Sequence, residues 1–225
     1  MAGTTRLALY NGALLLCGVR QIANLSVNEE PRKLLDYAWN GDGTNGAIRA
    51  CLEQGQWIFA KRAAQLNYDT AIEPSWGYKR AFAKNTDWVA TSAVCCDEYF
   101  NVPLTAYSDE AGFLYADYDT IYVKYVSDAA TYGGDLSRWP MSFAEYVKAW
   151  LASKIIYKVS SSQERRDELL HPNTGILERA RINALNRDAM AKPVRWPARG
   201  TWSKARQGRG SRDWYDGGNR NRLIG

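Results

Sequence analysis

The sequence predicts an α+β fold, mainly α: a helical bundle with an inserted antiparallel β-rich segment (a hairpin or small sheet) and an extended C-terminal arm. Three observations carry that expectation. Apolar residues recur in three- and four-residue steps at both ends of residues 1–191, while β-branched and aromatic residues crowd the stretch between. The last 34 residues show neither period. A chain of 25.3 kDa with 46% hydrophobic residues has enough apolar material for a real core, so residues 1–191 are expected to form one compact body.

The elements follow in order. Leu7, Tyr10, Asn11, Leu14 and Leu15 share a helical face that Gly18 should stop. Arg6 and the following leucines up to Cys17 imitate a secretion signal, but Asn11 and Gly12 interrupt the run and Leu16 is a poor residue before a cleavage site. A second helix opens near Pro31, a good first helical position, and carries Leu34, Leu35 and Ala38. The glycines of 41–46 should interrupt it. Helix is then expected from Ala47 through Ile48, Cys51, Leu52, Gly55, Phe59, Ala63 and Leu66, with Trp57 off the stripe and packed on another element. Helices thus occupy about 4–72.

The β-rich part is expected over about 76–130. Ile121–Val126 is β-branched and aromatic, and Asp109-Glu110-Ala111-Gly112 is a turn before Phe113-Leu114-Tyr115. Tyr78–Phe82 and Tyr99–Leu104 are expected to add strands. Helix returns over 140–191: Pro140 opens a stripe of Phe143, Val147, Trp150, Leu151, Ile155 and Val159. Ser161 with Glu164 reads as a capping box, Pro172 breaks that helix, and Asn173 or Thr174 caps its continuation to about Ala191.

Residues 192–225 form the arm. They hold nine basic residues against Asp213 and Asp216, a net of +7, whereas residues 1–191 hold 20 basic against 22 acidic, a net of −2. Prolines and glycines punctuate the arm, and its three tryptophans bury too little surface to offset the entropy of ordering it alone. A solvated tail is the plain reading, but such tails are depleted in Trp, and Arg and Trp are the anchors of protein interfaces. The expected binding residues are Arg195, Trp196, Arg199, Trp202, Lys204, Arg206, Arg209, Arg212, Trp214, Tyr215, Arg220 and Arg222. The alternative is a nucleic-acid-binding packaging or accessory protein, because Gly208–Arg212 loosely resembles an RG-rich segment with aromatics available to stack on bases.

The catalytic inventory is thin. The single histidine, His171, precedes Pro172 and reads as a surface or capping residue. Cys17, Cys51, Cys95 and Cys96 lack paired CxxC spacing and read as buried thiols of a reducing compartment. Asp109, Glu110, Asp117 and Asp119 flank turns and strand ends. The glycines of 41–46 lack the Lys-Ser/Thr of a phosphate loop. No enzyme, metal or cofactor is expected, and no apolar run is long enough to serve as a membrane anchor.

Four segments, in order, resemble the tail tubular protein A family, the head-to-tail adaptors of short-tailed phages. Leu9-Tyr10-Asn11-Gly12-Ala13-Leu14 before Gly18 is similar to that family's opening helix. Cys51-Leu52-Glu53, Trp57-Ile58-Phe59-Ala60, Arg62-Ala63 and Leu66 resemble its next helix. Tyr115-Ala116-Asp117 with Ile121–Val126 resembles its hairpin. Trp139-Pro140, Phe143, Ala149-Trp150-Leu151-Ala152 and Ile155 resemble a later helix. The likeness spans roughly residues 7 to 160; it departs at the glycines of 41–46 and at Lys84-Asn85-Thr86-Asp87-Trp88, where the family has an L-P-x-D stretch. It implies a structural virion protein at the portal vertex: a dodecameric ring between portal protein and tail nozzle protein, with an axial channel through which genomic DNA passes without specific binding. The arm lies outside the matched motifs; its charge and aromatics suit docking on the portal, and the near-neutral body suits a conduit.

Overall fold

The computed structural model describes residues 4–41, 46–74 and 77–191. The chain divides into a unit of residues 1–191 and a unit of residues 192–225, the latter wholly outside the described residues. In chain order the first unit runs α1 (Arg6–Cys17), α2 (Glu30–Asn40), α3 (Gly46–Leu52), a 3-10 turn (Ile58–Ala60), β1 (Lys61–Asn67), β2 (Arg80–Ala83), β3 (Trp88–Cys95), β4 (Ser108–Glu110), β5 (Phe113–Ala116), β6 (Thr120–Ser127), α4 (Met141–Val159), α5 (Gln163–Leu170) and α6 (Ile176–Met190). The expected class holds: α+β, mainly helical, with small antiparallel sheets inserted between helices.

Helix α4 is the axis of the helical part. Its Phe143, Ala144, Val147, Leu151, Ala152, Ile155 and Ile156 are buried, and α1, α2, α3, α5 and α6 all pack on it. Thr5 caps α1 by accepting from the Ala8 N–H, and Gly18 ends it at φ 71, where glycine is favoured. The buried face of α1 is Leu9, Tyr10, Ala13, Leu14 and Cys17; Leu15, expected on that face, is exposed.

Two three-stranded antiparallel sheets follow, ordered β1-β6-β3 and β2-β5-β4. Strand β6 joins two cores because successive side chains point to opposite faces. Ile121, Val123 and Tyr125 enter a core with Phe82, Trp88, Val94 and Leu114, while Val126 enters the helical core. Ala111 and Gly112, at φ 48 and 86, make the tight β4–β5 turn that the sequence predicts.

Several expectations are corrected. The helix predicted from Ala47 to Leu66 stops at Leu52, and 61–67 is strand β1 paired along its length with β6. The Trp57 indole N–H donates to the carbonyls of Cys51 (3.2 Å) and Leu52 (3.1 Å), serving the buried C-terminal carbonyls of α3 in place of a further turn. The Cys51–Leu66 stretch that resembles the family's helix is therefore a helix end, a turn and a strand. Tyr99–Leu104 is a loop, touching the sheet through one bridge between Cys95 and Pro103. Strand β3 was not expected. The cap of α5 is Ser162, not Ser161, and the cap position of α6 is Gly175, which has no side chain to accept; Asn173 and Thr174 lie ahead of it, their N–H groups donating to His171 Nδ1. Trp76, the expected start of the β-rich part, and residues 42–45 lie outside the described residues.

Candidate functional site

All twelve arm residues expected to bind a partner, from Arg195 to Arg222, lie outside the described residues. Among the described residues of the body, three places bear most on function.

The first is a polar junction between the cores. Asp87, just before β3, accepts from Arg62 Nη1 on β1 (3.0 Å), from the Tyr125 hydroxyl on β6 (3.1 Å) and from Ser127 Oγ. Tyr125 in turn accepts from Asn85 Nδ2 at 2.8 Å, and its ring stacks on Trp88 with centroids 4.0 Å apart. Burial opposes the Asp87 charge, but the hydrogen bonds from Ser127, Arg62 and Tyr125 together outweigh it and hold the carboxyl below the usual carboxylate range. This cluster ties three strands at a switch in the chain. Its donors serve one carboxylate, so it acts as a brace.

The second is the loop between β3 and β4. Asp97 accepts from the N–H groups of Asn101 (2.9 Å) and Val102 (2.8 Å), which holds its carboxyl below the usual range, and Cys96 N–H donates to the Val102 carbonyl (3.3 Å). Phe100 sits at φ 58, a left-handed conformation that costs a non-glycine residue on the order of 1–3 kcal/mol. Lys124 Nζ lies 3.9 Å from its ring centroid and helps hold it there. The loop thereby presents Tyr99, 76% exposed, and Val102 to solvent on a fixed base.

The third is a groove of about 490 Å³ between the Trp57–Phe59 turn, the start of α4 and the end of α6. Buried Trp57 and Phe143 form its floor, their ring centroids 4.8 Å apart. Met141 and Met190 stand at its rim, 73% and 75% exposed. Asp188 is engaged there by the Ile58 N–H at 2.7 Å, while Arg187 has no side-chain partner among the described residues.

The candidate carboxylates are each otherwise occupied. Asp109 pairs with Lys84 and accepts from Thr91, Asp119 pairs with Arg80 at 2.9 Å, and Asp117 accepts from the Lys79 N–H. Glu110 accepts from Ser108 Oγ. His171 is an exposed residue capping the end of α5. Cys17, Cys51 and Cys95 are buried free thiols and Cys96 is half-buried; burial pushes Cys17 up to about 11 and raises Cys51 and Cys95 too. Among the described residues no group of three His, Cys, Asp or Glu could hold a metal, and no helix is long and apolar enough to cross a membrane. No protein-family model and no curated protein matches the chain.

The loop and the groove were missed by sequence reasoning. The groove joins residues more than 80 positions apart. The loop had one readable signal: Asp97 ahead of Asn101 and Pro103 is turn chemistry.

Proposed function

We propose that this chain is a structural, non-enzymatic virion protein, a head-to-tail adaptor that forms a ring between a portal protein and a tail nozzle protein. The observation that carries the reading is the separation of charge: +7 with three tryptophans in residues 192–225, against −2 in residues 1–191. The arm docks on acidic grooves of the portal, with Trp196, Trp202 and Trp214 as anchors and the arginines as charge partners. A ring presents many arms at once, so modest individual affinities multiply through effective concentration.

The body suits a conduit. Nine of its basic residues (Arg6, Arg32, Arg49, Arg62, Arg80, Lys84, Arg138, Lys148 and Arg181) are held in ion pairs with its own carboxylates. Fewer free cations mean fewer phosphates neutralised and weaker retention of passing DNA. The similarity of the opening helix, the β5–β6 hairpin and α4 to the adaptor family supports the same reading.

The test is deletion of 192–225. The truncated chain should keep its far-ultraviolet circular dichroism and lose co-purification with the portal protein encoded in the same genome; retained capture refutes the docking role. Tight, steeply salt-dependent binding of the isolated arm to duplex DNA would favour the nucleic-acid alternative.

A further inference from the structure

The β3–β4 loop and the Met-rimmed groove are two features among the described residues that the packing of the body leaves unexplained. They are complementary. The loop is a peg: Asp97 fixes its backbone through the Asn101 and Val102 N–H groups, and Lys124 covers Phe100, so Glu98 and Tyr99 stand outward on a base already ordered. An aromatic presented this way loses little freedom on docking. The groove is a socket of about 490 Å³, floored by aromatic rings and rimmed by two methionines whose flexible side chains adapt to what enters.

Charge sets the orientation. Glu98 is exposed beside Tyr99 with no side-chain partner among the described residues, and Arg187 stands equally unpartnered at the edge of the groove. We infer that Tyr99 of one copy seats in the groove of a second copy, with Glu98 against Arg187. Both features sit on one body, at the end of β3 and at the junction of α4 with α6. Such an interface is heterologous: it repeats head to tail and closes into a ring when the rotation per step allows. The inference names the lateral contact of the proposed ring and rests on that reading for closure alone.

The experiment is sedimentation of the full chain over a concentration series, with circular dichroism to show that each variant is folded. The wild type should self-associate. Glu98→Arg, Arg187→Glu and Tyr99→Ser should each weaken association about tenfold or more, and Glu98→Arg combined with Arg187→Glu should recover most of it. Association unchanged by the single variants, or no recovery in the charge-reversed double variant, overturns the contact and leaves the adaptor reading standing. A wild type monomeric throughout also overturns the contact, while capture by the portal remains separately measurable through the arm.

Discussion

Replacing Asp87 with Ala removes the carboxylate that braces β1, β3 and β6, and its cost can be worked from the contacts. The Arg62 guanidinium is more than a third exposed, so water replaces its lost partner and the ion pair itself is worth about 1 kcal/mol or less. Tyr125, fully buried, still accepts from Asn85 Nδ2, but its hydroxyl proton loses its acceptor. Ser127 is fully buried; its oxygen still accepts from the Ala129 N–H, but its hydroxyl proton loses its acceptor. Each stranded buried donor costs about 1–3 kcal/mol, so with the two hydroxyls and the ion pair the substitution should destabilise by about 2–7 kcal/mol in all. Arg62→Ala should cost about 1 kcal/mol or less, since its carboxylate partner keeps Ser127 and Tyr125. Urea unfolding followed by circular dichroism measures both. The pH dependence gives a second check. The folded carboxyl titrates below its unfolded value of about 3.9, so its charge contributes stability above that pH and loses it as pH falls through the lower folded value. The gap between wild type and Asp87→Ala should therefore be constant near neutrality and shrink in acid. Equal costs for the two substitutions, or a gap that does not change down to the folded titration, refute the brace.

Two shorter predictions follow from the same geometry. Ala111 sits at φ 48 in the β4–β5 turn ahead of Gly112, so Ala111→Asn should stabilise by about 0.5–1 kcal/mol, read as a rise in melting temperature. Under native conditions at mild alkaline pH, a thiol reagent should label Cys96 quickly and leave Cys17, Cys51 and Cys95 slow, because burial both covers those three and raises their titration; peptide mapping of the labelled protein checks this.

Legibility followed the range of the forces. Helices α1 and α4 were readable because their apolar stripes are local, and Gly18 and Pro140 mark their ends by backbone geometry alone. The β4–β5 turn was readable for the same reason. Strand β1 was not. Of Lys61–Asn67 only Leu66 is buried, so no alternation shows, and Ala63 and Leu66 happen to continue a helical spacing. What makes the segment a strand is β6, about 60 residues away, and pairing at that distance leaves no mark on the local pattern. Asp87 was noticed only as a departure from a family pattern, since Arg62, Tyr125 and Ser127 lie 25 to 40 positions from it. The arm was legible as composition, and its twelve candidate residues remain outside the described structure.

The brace and the proposed contact meet in one mechanical argument. The peg grows from the end of β3 and belongs to the sheet β1-β6-β3; the socket is built from the helical core around α4. A ring closes only if every subunit holds peg and socket at the same relative angle, because an error per step accumulates around the circle. Strand β6 contributes to both cores, and Asp87 ties it, through Tyr125 and Ser127, to β1, through Arg62. An apolar contact of the same size would orient these side chains less, since hydrophobic contact has no direction. Three hydrogen bonds from two strands to one carboxylate do have direction. A charge half-hidden among these strands gives up some stability in acid and, under the proposed contact, would hold steady the sheet from which the peg projects.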